Sequence, residues 1–330
     1  MRSLLALSLV SAVSAQTSIV LTPFADATTD SSQPTVNFGT SPELDFGKQF
    51  AYAPNFTVWF ARGHVEFDPS PFVGIGVPTR ATFHWYQSQS NAAGCLDVSL
   101  HRVTGGWSET TITWQNQPPY DPAEISRACV GDSFALGWKA FDVTSLVRSW
   151  LDGTVVDYSF VIKDPNESTA GAARPGLGHS REYANAALRP YLEIEFATSF
   201  GTGCTTHATQ PFLAVAGGSA IMGETLELGL GQLEPGSLSV VFFGLGNTMW
   251  NATPLPLSLA SIGYPNCELL VEPGVGVLAG IAPGTTATLP VVVPTSAAYS
   301  GLPLFAQAFA FTQAGSLEAT NGLGFAVWLP

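Results

Sequence analysis

Apolar and polar side chains alternate with a period of two along much of the chain. Ala81, Phe83 and Trp85 interleave with Thr82, His84 and Tyr86, and Gly63, Val65 and Phe67 interleave with Arg62, His64 and Glu66. Leu96, Val98 and Leu100 repeat the pattern, as do Leu192, Ile194 and Phe196. Side chains of a strand point alternately to its two faces, so each segment predicts a strand with one face inward. Such segments at intervals of about 8–15 residues, separated by turn clusters, predict an antiparallel sandwich or jelly roll. One stretch breaks the period: Val143, Leu146, Val147, Trp150 and Leu151 fall at i, i+3, i+4, i+7 and i+8. That spacing predicts a helix, with Asp142 or Thr144 at its start, Gly153 at its end and Trp150 as a core anchor.

Beyond residue 200 the strand signal continues over 225–230, 237–245, 267–271, 286–293, 303–312 and 323–328, with Pro-Gly turns at 235–236, 273–274 and 283–284. An immunoglobulin-like sandwich follows. The fold class is therefore all-β, with two antiparallel β-sandwiches. Charge marks the division between them. Every Lys and Arg lies before residue 190, whereas residues 201–330 carry six Glu and no Lys or Arg. With the small residues of Thr198–Gly203 as a linker, the expected domains are 16–198 and 199–330. The second cannot use Lys or Arg salt bridges, so its core and its cysteines must hold it.

The formal net charge of −13 excludes a nucleic-acid or anionic-membrane surface, both of which need a basic footprint. Only 11% of residues are charged, against about 25% in ordinary domains. Residues 1–15 read as a signal peptide: Arg2, an apolar run from Leu4 to Val13, then Val13-Ser14-Ala15 as the cleavage site, so the mature chain is expected to begin at Gln16. No later stretch is apolar enough for a transmembrane segment. In an exported chain four cysteines imply bridges, with Cys95 paired to Cys129 and Cys204 to Cys267, one per domain.

Several strings in the first domain belong together. They are Asp26 in Phe-Ala-Asp-Ala, Asn37-Phe-Gly39, Arg62 to Asp68, Trp107-Ser-Glu-Thr-Thr-Ile-Thr-Trp114-Gln-Asn-Gln-Pro118, Trp138 to Gly153 with its Asp-Val-Thr-x-x-Val-x-x-Trp core, His179-Ser-Arg-Glu182 and Leu188-Arg-Pro-Tyr-Leu-Glu-Ile194. In this order they resemble the DNRLRE domain family, a carbohydrate-binding-module family, over about Ser18 to Ala197. The resemblance implies a β-sandwich of exported, often multidomain bacterial proteins that binds polysaccharide, including acidic algal glycans. The string that gives the family its name is absent, and the net acidic domain argues against a polyanionic glycan. The second half, opening Phe200-Gly-x-Gly-Cys204, is similar to uncharacterised C-terminal modules of secreted bacterial proteins.

Sugar recognition needs aromatic faces for C–H surfaces and planar polar groups for hydroxyls. The outward faces of the alternating strands supply candidates: Arg62, His64 and Glu66 on one, His84 and Tyr86 on another, with Arg181 in the terminal loop. Trp107 and Trp114 read as core, like Trp250 and Trp328, while Trp59, Tyr52 and Tyr120 are candidates for exposed aromatics. No cofactor is required by these motifs. Calcium is the candidate structural ion, with Asp26 foremost and Asp30, Asp45 and Asp142 as further carboxylates.

The expected function is a secreted, non-catalytic protein that binds polysaccharide or cell-surface glycan through its first domain. An extracellular structural or adhesion protein without sugar binding is the alternative. A polysaccharide lyase or hydrolase comes third, for which His179, Ser180, Arg181 and Tyr183 would be the chemistry.

Overall fold

The computed structural model describes residues 16–51, 57–89, 96–130, 136–156, 159–167 and 174–329. The expected signal peptide, Tyr52 and Cys95 lie outside them. The chain forms two compact units, one over Ser18–Ile194 and one from Glu195 onward.

The first unit takes its strands in chain order: β1 (Gln16–Leu21), β2 (Ala25–Asp30), β3 (Phe46–Ala51), β4 (Thr57–Glu66), β5 (Pro78–Gln89), β6 (Leu96–Val103), β7 (Tyr120–Val130), β8 (Gly137–Asp142), β9 (Ser159–Lys163), β10 (Arg174–Gly178) and β11 (Tyr191–Phe200). In one sheet β4 pairs with β2, β3 and β9, and β6 and β7 continue beyond β9. The opposing sheet is built on β5, flanked by β8 and β11. β10 pairs with β3 through Arg174–Gly176 and with β5 through Leu177–Gly178. Every one of these registered pairs is antiparallel.

The inward residues of the two sheets meet in an aromatic core. Phe83 of β5 lies 5.0 Å from Phe160 of β9, and Trp85 of β5 lies 4.5 Å from Phe46 of β3, between ring centroids. All four are fully buried. At roughly 1.5–3 kcal/mol per buried large apolar side chain, such contacts decide which face of each strand turns inward. The predicted helix is α1, Thr144–Leu151, and it buries Leu146, Val147, Trp150 and Leu151. Asp142 Oδ1 accepts hydrogen bonds from the Thr144 amide at 3.0 Å and the Thr144 hydroxyl at 2.6 Å. Gly153, at φ +78, donates its amide to Trp150 O and closes the last turn.

In the second unit, strands Val275–Ile281, Leu238–Gly244, Pro303–Phe311 and Leu317–Ala326 form one antiparallel sheet in that spatial order. Phe212–Gly218, Thr225–Gly231 and Ala287–Val292 form a second. Leu213, Leu226, Leu228 and Leu289 from one pack with Val241, Ala306, Ala308, Leu323 and Phe325 from the other. The last strand begins at Leu317, six residues before the expected 323–328. Its early part hides because Glu318, Thr320 and the facing Gln307 are polar yet buried. Gln307 Nε2 donates to the carbonyls of Glu268 and Thr320, and its Oε1 accepts the Leu270 amide, so interior polar groups are satisfied where the alternation fails.

Thr198–Phe200, within the unit that starts at Glu195, pairs with Gly322–Gly324. Cys204 and Cys267 form a disulfide, and both are buried. Cys129 is also disulfide-bonded. Among the described residues no helix is long and apolar enough to cross a membrane.

Candidate functional site

The outer face of β5 carries the most extended aromatic surface. With Phe83 and Trp85 committed inward, His84 and Tyr86 point away from the core. Across the β5–β8 ladder Tyr86 stands opposite Trp138 and His84 opposite Ala140. The small Ala140 leaves room for the indole, which remains 42% exposed. Trp138 presents its ring at steep angles to Tyr86, His84 and Tyr191, at centroid distances of 5.4, 6.4 and 5.2 Å. These are the edge-to-face contacts that aromatic quadrupoles favour. His84 stacks on Tyr191 at 4.4 Å, and its Nε2 lies 3.5 Å from Glu193 Oε2. On the other side of Tyr86, His179 stacks parallel at 5.4 Å and Tyr183 stacks on His179 at 3.4 Å. Six rings from four separated segments thus touch in sequence, with Arg80 on the same strand parity as His84.

Burial keeps the histidine rings of this surface uncharged near neutral pH. Burial lowers the pKa of His84, reinforced by Arg80 and opposed by Glu193. Burial also lowers that of His179, with Glu43 opposing. Tyr191 is raised by burial and by Glu193. The His84, His179 and Tyr191 rings are therefore neutral near pH 7; Trp138 is the exposed ring of the set, whereas His179 is 7% exposed between Tyr86 and Tyr183.

The candidates on β4 do not join them. β4 and β5 belong to opposite sheets, so the expected alignment of Arg62, His64 and Glu66 with His84 and Tyr86 is corrected. The second face of β4 is covered by the 104–119 segment, which the alternation alone could not reveal. His64 is 1% exposed, with the Trp107 ring 5.8 Å away. Burial, aided by the Arg62 charge, lowers its pKa to about 3, so it is an interior neutral imidazole. Arg62 is held by Glu167 through two hydrogen bonds of 2.6 Å and donates to Gln117 Oε1. Its guanidinium lies over Trp114 at 4.6 Å and Tyr120 at 5.3 Å. Glu66 is half-buried between Ala25 and Ser159.

Arg181 is also engaged elsewhere. Its Nη1 donates to both Glu109 oxygens at 2.8 Å, its amide donates to Asp26 Oδ2 at 2.8 Å, and its Nε lies 3.6 Å from Glu182 Oε1. Asp26 is buried, and its pKa is raised well above the usual range by that burial, with the Glu182 and Glu109 charges adding to it. Of the other carboxylates, Asp30 Oδ1 accepts from the Ser32 amide and hydroxyl, and Asp142 holds the start of α1. Asp45 accepts the Gly178 amide in a hollow of about 200 Å³ shared with Trp59, Gln49, Glu43 and Asp30. Burial and the Glu43 charge raise the Asp45 pKa to about 7.

Trp138, Tyr191, His179 and Tyr183 were not among the sugar-binding candidates read from the sequence. Tyr183 entered only as lyase chemistry, His179 as lyase chemistry and in a family string, and Trp138 and Tyr191 only in family strings. The signal available was the parity of Trp138 in β8, but its register against Tyr86 is a long-range pairing.

The first unit is thus a two-layer antiparallel sandwich with a cluster of rings on the outer face of β5, β8 and β11. Residues 17–196 match the model of carbohydrate-binding module family 96, and the chain belongs to that family. The family name differs from the DNRLRE resemblance, while the class, a carbohydrate-binding module, is the same; the match stops at residue 196. No curated protein matches the chain. Among solved structures, a β-1,2-glucanase from Parabacteroides distasonis is similar at 8% identity and a TM-score of 0.22, over 93% of this chain and 38% of that one. A red sea bream transglutaminase is similar at 8% identity and a TM-score of 0.17, over 96% and 32%. The chain thus spans well under half the length of either.

Proposed function

We propose that this is an extracellular, non-catalytic protein whose first unit binds polysaccharide on the ring-lined face of β5, β8 and β11. One observation carries the reading: Trp138 is 42% exposed while three other rings hold it in place. A large preorganised ring on an open surface loses little conformational entropy on binding a ligand. The net charge of −13 favours neutral glycans over polyanionic ones. The Cys204–Cys267 disulfide supports an oxidising, extracellular setting, with the second unit as a structural or surface-attachment module.

The test uses the full chain against a panel of neutral and acidic polysaccharides, read by affinity electrophoresis and calorimetry. Trp138→Ala and Tyr86→Ala are expected to weaken binding at least about tenfold, the usual scale for an aromatic anchor. Trp59→Ala, in the separate hollow, is expected to bind as the parent does. Retention of parental affinity by Trp138→Ala would overturn the site. Absence of saturable binding across the panel would favour the spacer or adhesion reading. A new ultraviolet absorbance from an unsaturated uronate would overturn the non-catalytic part.

A further inference from the structure

Asp26, Glu109 and Glu182 come from three separated strings: the start of β2, the 104–119 segment and the 179–183 segment. One carboxylate oxygen from each lies within 4.8 Å of the other two. The arrangement is tied to the backbone. The Asp26 amide donates to Glu109 Oε1 at 2.9 Å, and Asn37 Nδ2 donates to the Glu109 carbonyl at 2.8 Å.

Three carboxylates face one guanidinium, that of Arg181, which is taken up by Glu109. An independent observation is that two oxygens are left over. Asp26 is 1% exposed, and its Oδ1 is buried with no hydrogen-bond partner; Glu182 Oε2 is likewise buried and unpartnered. Leaving a buried carboxylate oxygen unsatisfied costs more than a neutral group would, so such an atom points to a missing positive partner.

We propose that Asp26, Glu109 and Glu182 form a binding site for a calcium-class divalent cation. The donors are all hard oxygens, with no His or Cys, which excludes a zinc-type site. Ligand number selects within the hard cations: magnesium is usually held by one or two carboxylates and keeps its waters, whereas calcium takes several protein oxygens in a flexible shell. Three carboxylates with oxygens within 4.8 Å of one another fit the calcium pattern. The ion would join three segments that no disulfide among the described residues connects.

The experiment takes the full chain, strips it with chelator and titrates it with CaCl2 or MgCl2 at matched ionic strength. Calorimetry and thermal melting are the readouts. Extracellular calcium sites have Kd near 10⁻⁴–10⁻³ M, so about 10 mM calcium should raise the folded-to-unfolded ratio roughly ten- to a hundredfold, with a smaller effect of magnesium. Glu182→Gln keeps the shape of the partly exposed member. It is expected to fold and to lose at least about tenfold in calcium affinity, with its chelator-stripped melting temperature no lower than that of the parent. Asp26→Asn should behave likewise if it folds. Absence of calcium binding to the parent chain up to about 10 mM, or unchanged affinity in Glu182→Gln, would overturn the site.

Discussion

His64 gives the sharpest test of the packing on β4. The imidazole is 1% exposed, the Trp107 ring stands 5.8 Å away, and its Nδ1 has no hydrogen-bond partner. Burial, with the Arg62 charge adding to it, lowers the pKa from 6.5 to about 3. The unfolded chain therefore takes up a proton below pH 6.5 that the folded chain refuses until about pH 3. Stability contributed at this site is complete above pH 6.5 and falls as pH falls through that window. Each pH unit costs about 1.4 kcal/mol, so the loss is about 2 kcal/mol at pH 5. The parent chain will mask this effect. Asp45, raised to about 7, keeps a proton in the folded state that the unfolded chain releases above 3.8, which gives a slope of opposite sign. Asp26 acts in the same direction as Asp45. The informative quantity is thus the difference between the parent and His64→Gln, measured by urea unfolding at pH 7.5 and pH 5. That difference is expected to move by about 2 kcal/mol in favour of the variant at the lower pH. Equal differences at the two pH values would refute the buried neutral imidazole.

Three further outcomes follow from the packing. Replacing Cys204 and Cys267 by Ala removes a bridge of sequence separation 63, and unfolding free energy should drop by roughly 4 kcal/mol on the chain-entropy model, read by urea titration. Gly39→Ala would set a Cβ 1.9 Å from the Glu109 carbonyl oxygen, so the 104–119 segment must shift; a destabilisation of about 2 kcal/mol or more is expected, with loss of Trp107 fluorescence environment as a second readout. Trp150→Ala empties a fully buried position on α1 and should cost about 3–5 kcal/mol, measured as a fall in the denaturation midpoint with unchanged slope.

The inward faces of β5 and of the start of β11 are legible because burial on one face imposes a period of two, whereas further along β11 Glu195 is buried and Phe196, expected inward, is half-buried. Ala81, Phe83 and Trp85 are all fully buried, as are Leu192 and Ile194. The helix was legible because its apolar stripe is local. The second unit was read less completely. Phe212–Gly218 and Val275–Ile281 are glycine-rich strands with little contrast between faces, and Leu317–Ala326 opens with buried polar residues that satisfy one another. A polar position can signal solvent or an internal hydrogen-bond network, and the pattern does not separate the two.

The same ambiguity explains why the candidates on β4 and β5 read as one patch in the sequence although they lie on different sheets. β4 and β5 present the same alternation, with one basic or aromatic residue at every second position. What separates them is a cover that neither strand encodes. The 104–119 segment lays Trp107 beside His64 and Trp114 over Arg62, so the tryptophans of the Trp-Ser-Glu string close one sheet as packing elements. On the other sheet Ala140 stands opposite His84 and the rings stay open. Their assembly draws on residues 84 and 86, 138, 179 and 183, and 191, each segment supplying one or two rings that are unremarkable alone. A surface made this way is a property of register between distant strands.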